Sequence, residues 1–272
     1  MRKRIIIALG LLLASALGLT AVAGYLTFVR SAENPPSEAC GRGPASGPVV
    51  VAAGASMTQG TLGANWVGAL RERPEYRGYA FVNAGVNGDT SGGLRERVDS
   101  DIVACRPDAV TILVGANDVL DGVPLAEYRA NLGAIVERIK AKTSARVALL
   151  SLPPIGEDLG SPRNRDLGGY NAAIKETAAR VQADYLPLHE QAVDFLRRNG
   201  GGGTPYGFGF TTALVAGAEH YLLGRSWDAV SRGNGLELLV DHLHLNDRGG
   251  AIVTELVAGW LSEGRSAGPD RP

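Results

Sequence analysis

Charge of one sign is what this sequence most lacks. Its 272 residues carry 27 Lys and Arg against 28 Asp and Glu, a net charge of -1. A chain with no basic field has nothing to steer a polyanion, so nucleic acid is not an expected partner. Histidine and cysteine are scarce, at four and two. No Cys/His cluster stands at ligand spacing, and Asp241, His242 and His244 alone do not make a metal site, so no metal is expected. The 37 glycines and 14 prolines are neither clustered nor periodic, which excludes a collagen-like or bulk-disordered chain. No internal repeat is present. Residues 54–60, GASMTQG, lack the Lys of a phosphate-binding loop and do not fit the Gly-x-Ser-x-Gly elbow of α/β-hydrolases.

One long apolar run is present. Arg2, Lys3 and Arg4 precede an uncharged stretch over 5–29, closed by Arg30. As a helix it spans about 37 Å, against a hydrocarbon core of about 30 Å. The basic flank belongs on the cytoplasmic side, which puts the rest of the chain outside. Residues 1–30 are therefore expected to be an uncleaved signal anchor, a single-pass helix in the cell membrane. The alternative is cleavage near Ala23, within Ala21-Val22-Ala23, and secretion. A run longer than a usual signal core favours the anchor. Outside the cytoplasm a disulfide persists, and Cys40 and Cys105 either pair or remain two thiols; both stay open. Ser37-Glu38-Ala39 before Cys40 lack the aliphatic lead-up to a lipid-modified cysteine.

Residues 31–47 are polar and rich in Pro, Gly and Ser, and read as a spacer. Beyond them short β-branched or apolar runs at 49–53, 80–84, 109–114, 146–151 and 184–186 alternate with helical patterns. The clearest helix is 125–142, where Leu125, Tyr128, Leu132, Ile135, Val136 and Ile139 recur at three- and four-residue spacing. Such alternation implies βαβ units and a parallel sheet covered on both faces. After Leu188 the alternation breaks into a turn-rich stretch over 197–210. Helices are then expected at 211–223 and 226–231, and a last one at about 247–261. The domain is placed at 48–263, with a helical insertion at about 197–238 and a disordered tail at 264–272. The insertion's first helix is apolar almost all round, so it either packs beside the core or covers a substrate site.

Sites in parallel α/β sheets gather at the carboxyl ends of the strands. The first strand delivers Gly54-Ala55-Ser56, the second Asn83-Ala84-Gly85 and then VNGDTSGG, the third Gly115-Ala116-Asn117-Asp118. Near the C-terminus stands Asp241-His242-Leu243-His244. Read as chemistry, these supply a serine acyl-transfer site. Ser56 attacks once a base takes its proton, and His244 has Asp241 three residues earlier to orient its ring. The backbone N–H groups of Ser56 and Gly85 and the amide of Asn117 can converge on the developing oxyanion. Asp89-Thr90 is expected to cap a helix starting near Ser91, and Asp118, His189 and His220 to be structural.

The four places, in this order, resemble the SGNH (GDSL) hydrolase family of esterases and lipases. Its blocks are matched by GASMTQG, VNAGVNGDTSGGL, GAND and DHLHLN, covering about 48–262 without the insertion. The resemblance implies a three-layer α/β/α flavodoxin-like sandwich with a central parallel sheet. It also implies an acyl-enzyme on Ser56, a small-molecule or lipid ester substrate, and no cofactor. Ala55 replaces the family's usual aspartate, and His242 stands where glycine is common. His244 is assigned as the base because only it has an acid at the family's spacing; His242 is either a substrate contact or pocket wall, or a partly exposed loop histidine. The expected function is an exported, membrane-anchored serine ester hydrolase. The rivals are an acyltransferase or deacetylase on cell-surface glycans, and a non-catalytic binding module, which only Ala55 favours.

Overall fold

The computed structural model describes residues 2–40, 47–200 and 203–266. Helix α1 (Arg2–Gly24) continues as a π-helical turn, Tyr25–Val29, and a short α2 (Pro36–Ala39) follows. Strand β1 (Val49–Gly54) leads to α3 (Ser56–Gln59) and α4 (Trp66–Arg71). Strand β2 (Ala80–Gly85) leads to α5 (Ser91–Glu96) and α6 (Val98–Asp101), and β3 (Ala109–Leu113) to α7 (Ala116–Asp121) and α8 (Leu125–Lys142). Then come β4 (Arg146–Leu150), α9 (Pro162–Arg180), β5 (Asp184–Leu186), α10 (Leu188–Arg198), α11 (Phe210–Tyr221), α12 (Trp227–Gly233) and α13 (Asp247–Ser266).

The strands form one sheet in the order β2-β1-β3-β4-β5, every neighbouring pair parallel. This is the flavodoxin order, and its reversal point lies between β1 and β3. Helices α5, α8 and α9 pack side by side, as do α4, α13 and α10, which gives the three layers. The β1 run VVVAAG is apolar throughout because both faces of a central parallel strand are covered, and Val50 to Ala53 are all buried.

The strands fall where the apolar runs place them, to within a residue. Helix α8 coincides with its periodic pattern, and α13 runs five residues beyond the expected 261. Helix α10 is new. Leu188, Ala192 and Leu196 recur every four residues on its buried face, so the alternation expected to break after Leu188 continues through one more helix. The tail expected at 264–272 lies, from 267 on, outside the described residues, as does 41–46 of the spacer.

The rest of the spacer is bound to the domain. Asn34 lies along the open edge of β2: its carbonyl accepts from Asn83 N–H (3.1 Å) and its amide donates to Phe81 O (2.6 Å). Cys40 and Cys105 form a disulfide, so of the two thiol states left open the structure has the paired one.

Candidate active site

Strand β1 stops at Gly54, and Ser56 begins the short α3, so the chain turns just where the sheet ends. Ser56 is buried, yet its Oγ lies 2.9 Å from His244 Nε2. His244 Nδ1 lies 2.8 Å from Asp241 Oδ2, and both residues are buried. The other carboxylate oxygen of Asp241 accepts from the backbone N–H groups of Leu243 (3.1 Å) and His244 (2.9 Å). That leaves Asp241 no rotational freedom, and the imidazole with it. An acid three residues before the histidine is close enough to do this only because a tight turn brings the chain back.

The turn belongs to a hairpin-like loop, 237–246, closed by an antiparallel bridge between Leu239 and Leu245. A second carboxylate holds it. Glu157, almost fully buried, accepts from three successive backbone N–H groups: Glu237 (2.9 Å), Leu238 (2.7 Å) and Leu239 (2.9 Å). Ser231 Oγ donates to Leu239 O (2.8 Å), and Asn234 to Val240 O (2.7 Å). No local motif around Glu157 announces this; its partners lie some 80 residues away.

Asn117 stands at the end of β3, on the other side of the reversal point. Its amide donates to Asp89 O at 2.7 Å, which leaves its second N–H uncommitted. Asp118 faces the interior, takes Ser91 N–H (2.9 Å) and the Ser91 hydroxyl, and so ties α7 to the start of α5. Burial pushes its carboxyl above the usual range. Thr90 caps α5 through Gly93 N–H, as expected.

Gly85 is not brought to the cavity that holds Ser56. Its N–H donates to Asn83 Oδ1 at 3.0 Å, and a Cβ on it would overlap the backbone of Gln59 and Thr58. It is glycine because β2 passes against α3. Gly88, three residues on, does line that cavity, has φ +79°, and would place a Cβ in open space. Neither Gly88 N–H nor Ser56 N–H donates to an acceptor among the described residues. The Asn87-Gly88 turn signal in VNGDTSGG is the sequence feature that points to this position.

The cavity measures about 490 Å³, and Ser56, Gly88, Asn117 and His244 share its floor. Its walls include Tyr206 and Phe208 from the segment before α11, Arg163, and Phe28 from the turn after α1. His242 does not line it. At φ +72° it packs behind the wall, 5.9 Å from the Tyr206 ring and against Gly207. Burial pushes its pKa down, and its Nδ1 has no hydrogen-bond partner. Arg97 is a further residue that sequence reasoning missed. It donates to Gly54 O (2.9 Å), Ala84 O (2.8 Å) and Asp89 (2.7 Å), pinning together the ends of β1 and β2.

A hydrogen-bonded Ser–His–Asp relay at the reversal point of a flavodoxin-order sheet defines a class of protein. Within it, this chain belongs to the GDSL-like lipase/acylhydrolase family, whose model matches residues 52–252. It is 37% identical over 93 residues to the esterase TesA of Pseudomonas aeruginosa, a stretch covering 33% of this chain and 46% of that protein. It is 29% identical over 141 residues to an acetylxylan esterase of Geobacillus stearothermophilus, covering 47% and 64%. The chain thus matches less than two thirds of either relative's length. The crystal structure of an acetylxylan esterase from Geobacillus stearothermophilus superposes with a TM-score of 0.57 at 21% identity, over 79% of this chain and 94% of that one. This likeness shows a shared fold.

Proposed function

We propose that the chain is a serine ester hydrolase working through an acyl-enzyme on Ser56. The observation that carries this reading is the unbroken relay from Ser56 Oγ through His244 to Asp241, in a cavity that also presents unengaged N–H groups. His244 Nε2 takes the Ser56 proton as Oγ attacks the ester carbon. The carbonyl oxygen becomes an oxyanion held by Ser56 N–H, Gly88 N–H and the free N–H of Asn117. Gly88 takes the place expected of Gly85, whose N–H is already engaged. Each donor is worth about 10²–10³ in rate. His244 then gives its proton to the departing alkoxide, the ester C–O bond breaks, and water attacks the acyl-enzyme with His244 again as base.

The membrane-anchored, exported form of the enzyme belongs to the same reading. The described helix Lys3–Val29 is long and apolar enough to cross a bilayer, and none of its most apolar stretch is buried in the protein. Helix α1 runs without interruption through Ala21-Val22-Ala23, and Ala23 is buried. A cleavage site needs extended, accessible chain, so this favours an anchor over a cleaved signal. Glycan deacetylation is a second reading, favoured by the acetylxylan esterase among the relatives.

Substituting Ser56→Ala is expected to abolish p-nitrophenyl butyrate hydrolysis and fluorophosphonate labelling while the circular dichroism spectrum is kept. Retained turnover would overturn the mechanism, and an unlabelled native chain would indicate a binding module.

A further inference from the structure

Among the described residues, the exposed large apolar side chains are confined to a few segments. They run along α1, continue at Tyr25 and Val29, and recur at Val86 and within 208–223. The rest of the catalytic domain exposes none. Helix α11 explains the last group. One face, with Ala213, Ala216 and Gly217, is buried, and Gly217 lies so close to Thr27 that a Cβ would overlap its hydroxyl. Small residues permit that approach between helices. Phe210 at its start, Val215 within it, and Leu222 and Leu223 just past its end are exposed to the surroundings.

These segments adjoin the reaction cavity. Phe28 forms part of its wall and stacks on Phe210 with ring centroids 4.9 Å apart, while exposed Phe208 forms another part. Gln59, on the same short helix as Ser56, donates to Arg30 O at 2.7 Å. The chain leaving α1 then lies along β2 and is stapled through Cys40 to Cys105. It cannot act as a free tether, so the direction of α1 fixes the orientation of the domain.

Depth follows from length. About 20 helical residues cross a hydrocarbon core of about 30 Å. Counted from Ile5, the crossing ends near Gly24, and the turn Tyr25–Val29 emerges among the outer head groups. Arg30 donates there to the hydroxyl of Tyr221 (3.3 Å), and tyrosine is a residue enriched at this level.

We propose that the mouth of the Ser56 cavity is seated on the outer leaflet of the bilayer that α1 crosses, and that its substrate is an acyl ester of an amphiphile resident in that leaflet. The face from Phe208 to Leu223 rests on the lipid, and Phe28 and Phe208 form the threshold over which an acyl chain enters. A water-dissolved acetylated saccharide would instead need a mouth open to solvent. The substrate assignment rests on the hydrolase reading above; the seating does not.

The test uses the full chain reconstituted in phosphatidylcholine bilayers. In Phe210→Trp, brominated lipid is expected to quench the added indole at least twofold. The native Trp66, Trp227 and Trp260 are buried in the protein and set the unquenched baseline. In Val215→Asp/Leu223→Asp, hydrolysis of 1-oleoylglycerol carried in the vesicles is expected to fall at least tenfold, with p-nitrophenyl acetate held within twofold. An unquenched indole overturns the seating, and an equal fold-change on both esters in the double variant overturns the substrate assignment. Quenching in a protein that turns over neither ester supports the seating and overturns the hydrolase reading.

Discussion

Glu157 is the residue whose replacement most directly tests how the site is built. Its carboxylate receives three consecutive backbone N–H groups just before Asp241, from Glu237, Leu238 and Leu239, the last two fully buried. Hydrogen bonds to a charged group contribute about 1.5–3 kcal/mol each. Glu157→Ala strands all three donors and removes several kcal/mol, of the same order as the whole stability of a domain, about 5–15 kcal/mol. Glu157→Gln is more informative. Its oxygen can keep the place of Oε1, which all three donors share, but the charge is lost and an NH₂ turns toward Glu237 N–H. Charge-assisted bonds are roughly twice as strong as neutral ones, so the change costs about 2–4 kcal/mol. Because the loop carries both Asp241 and His244, kcat should fall with it, since a 1 Å misplacement costs about 100-fold. Urea unfolding gives the first quantity, and kcat on p-nitrophenyl acetate the second, expected about tenfold down with KM little changed. A Gln variant within about 0.5 kcal/mol of the parent and with unaltered kcat would refute the claim that this carboxylate holds the loop of Asp241 and His244.

The two glycines should separate cleanly. Gly85→Ala collides with α3 and lowers urea stability without a specific effect on kcat per folded molecule. Gly88→Ala keeps the fold at a cost of about 1 kcal/mol for its positive φ, and lowers kcat by tenfold or more as its N–H is displaced. Cys40→Ser/Cys105→Ser opens a bridge of sequence separation 65, which loop entropy values at about 4 kcal/mol; a loss under about 1 kcal/mol in urea would contradict that account. Burial pushes the pKa values of His189 and His242 below their ordinary value. The unfolded chain therefore binds more protons in the window from about 6.5 downward, and stability is full above it and declines as pH falls. The urea midpoint should drop between about pH 7 and pH 5, and less steeply in His189→Gln; an unchanged slope in that variant would remove His189 from the explanation.

Much of the fold was legible because its signals are local. Five apolar runs and the period of α8 lie in contiguous sequence, and a parallel sheet follows from their alternation. Ser56, Asn117, Asp241 and His244 were legible for a related reason: each ends a strand or precedes the last helix, and each carries a residue type that the chemistry restricts. What escaped depends on contacts between distant segments. Glu157 and Arg97 bind backbone groups, which impose no residue pattern on their partners. Gly85 and Gly88 are both glycine and three residues apart, so only the course of the chain shows that one packs against α3 and the other faces Ser56. The pairing of Cys40 with Cys105 needed the spacer to fold back along β2, and nothing in a Pro/Gly/Ser composition says that it does.

The two departures from the family's usual residues look different once their surroundings are known. Ala55 is buried, and its carbonyl accepts from Thr58 and Gln59 N–H, so the turn is held by its backbone. Arg97 supplies further support by binding the carbonyl of Gly54, one residue before it. A polar side chain at position 55 is thus not needed to keep Ser56 in place. His242 has a φ of +72°, a conformation glycine adopts freely and one that costs an L-residue about 1–2 kcal/mol. The imidazole offsets that strain by packing against Tyr206 and Gly207, the segment that walls the cavity. One substitution thus removes a side chain from the turn that carries Ser56, where backbone contacts suffice. The other adds one behind the part of the cavity wall formed by Tyr206 and Phe208, which ties the strained residue to the segment that leads into α11.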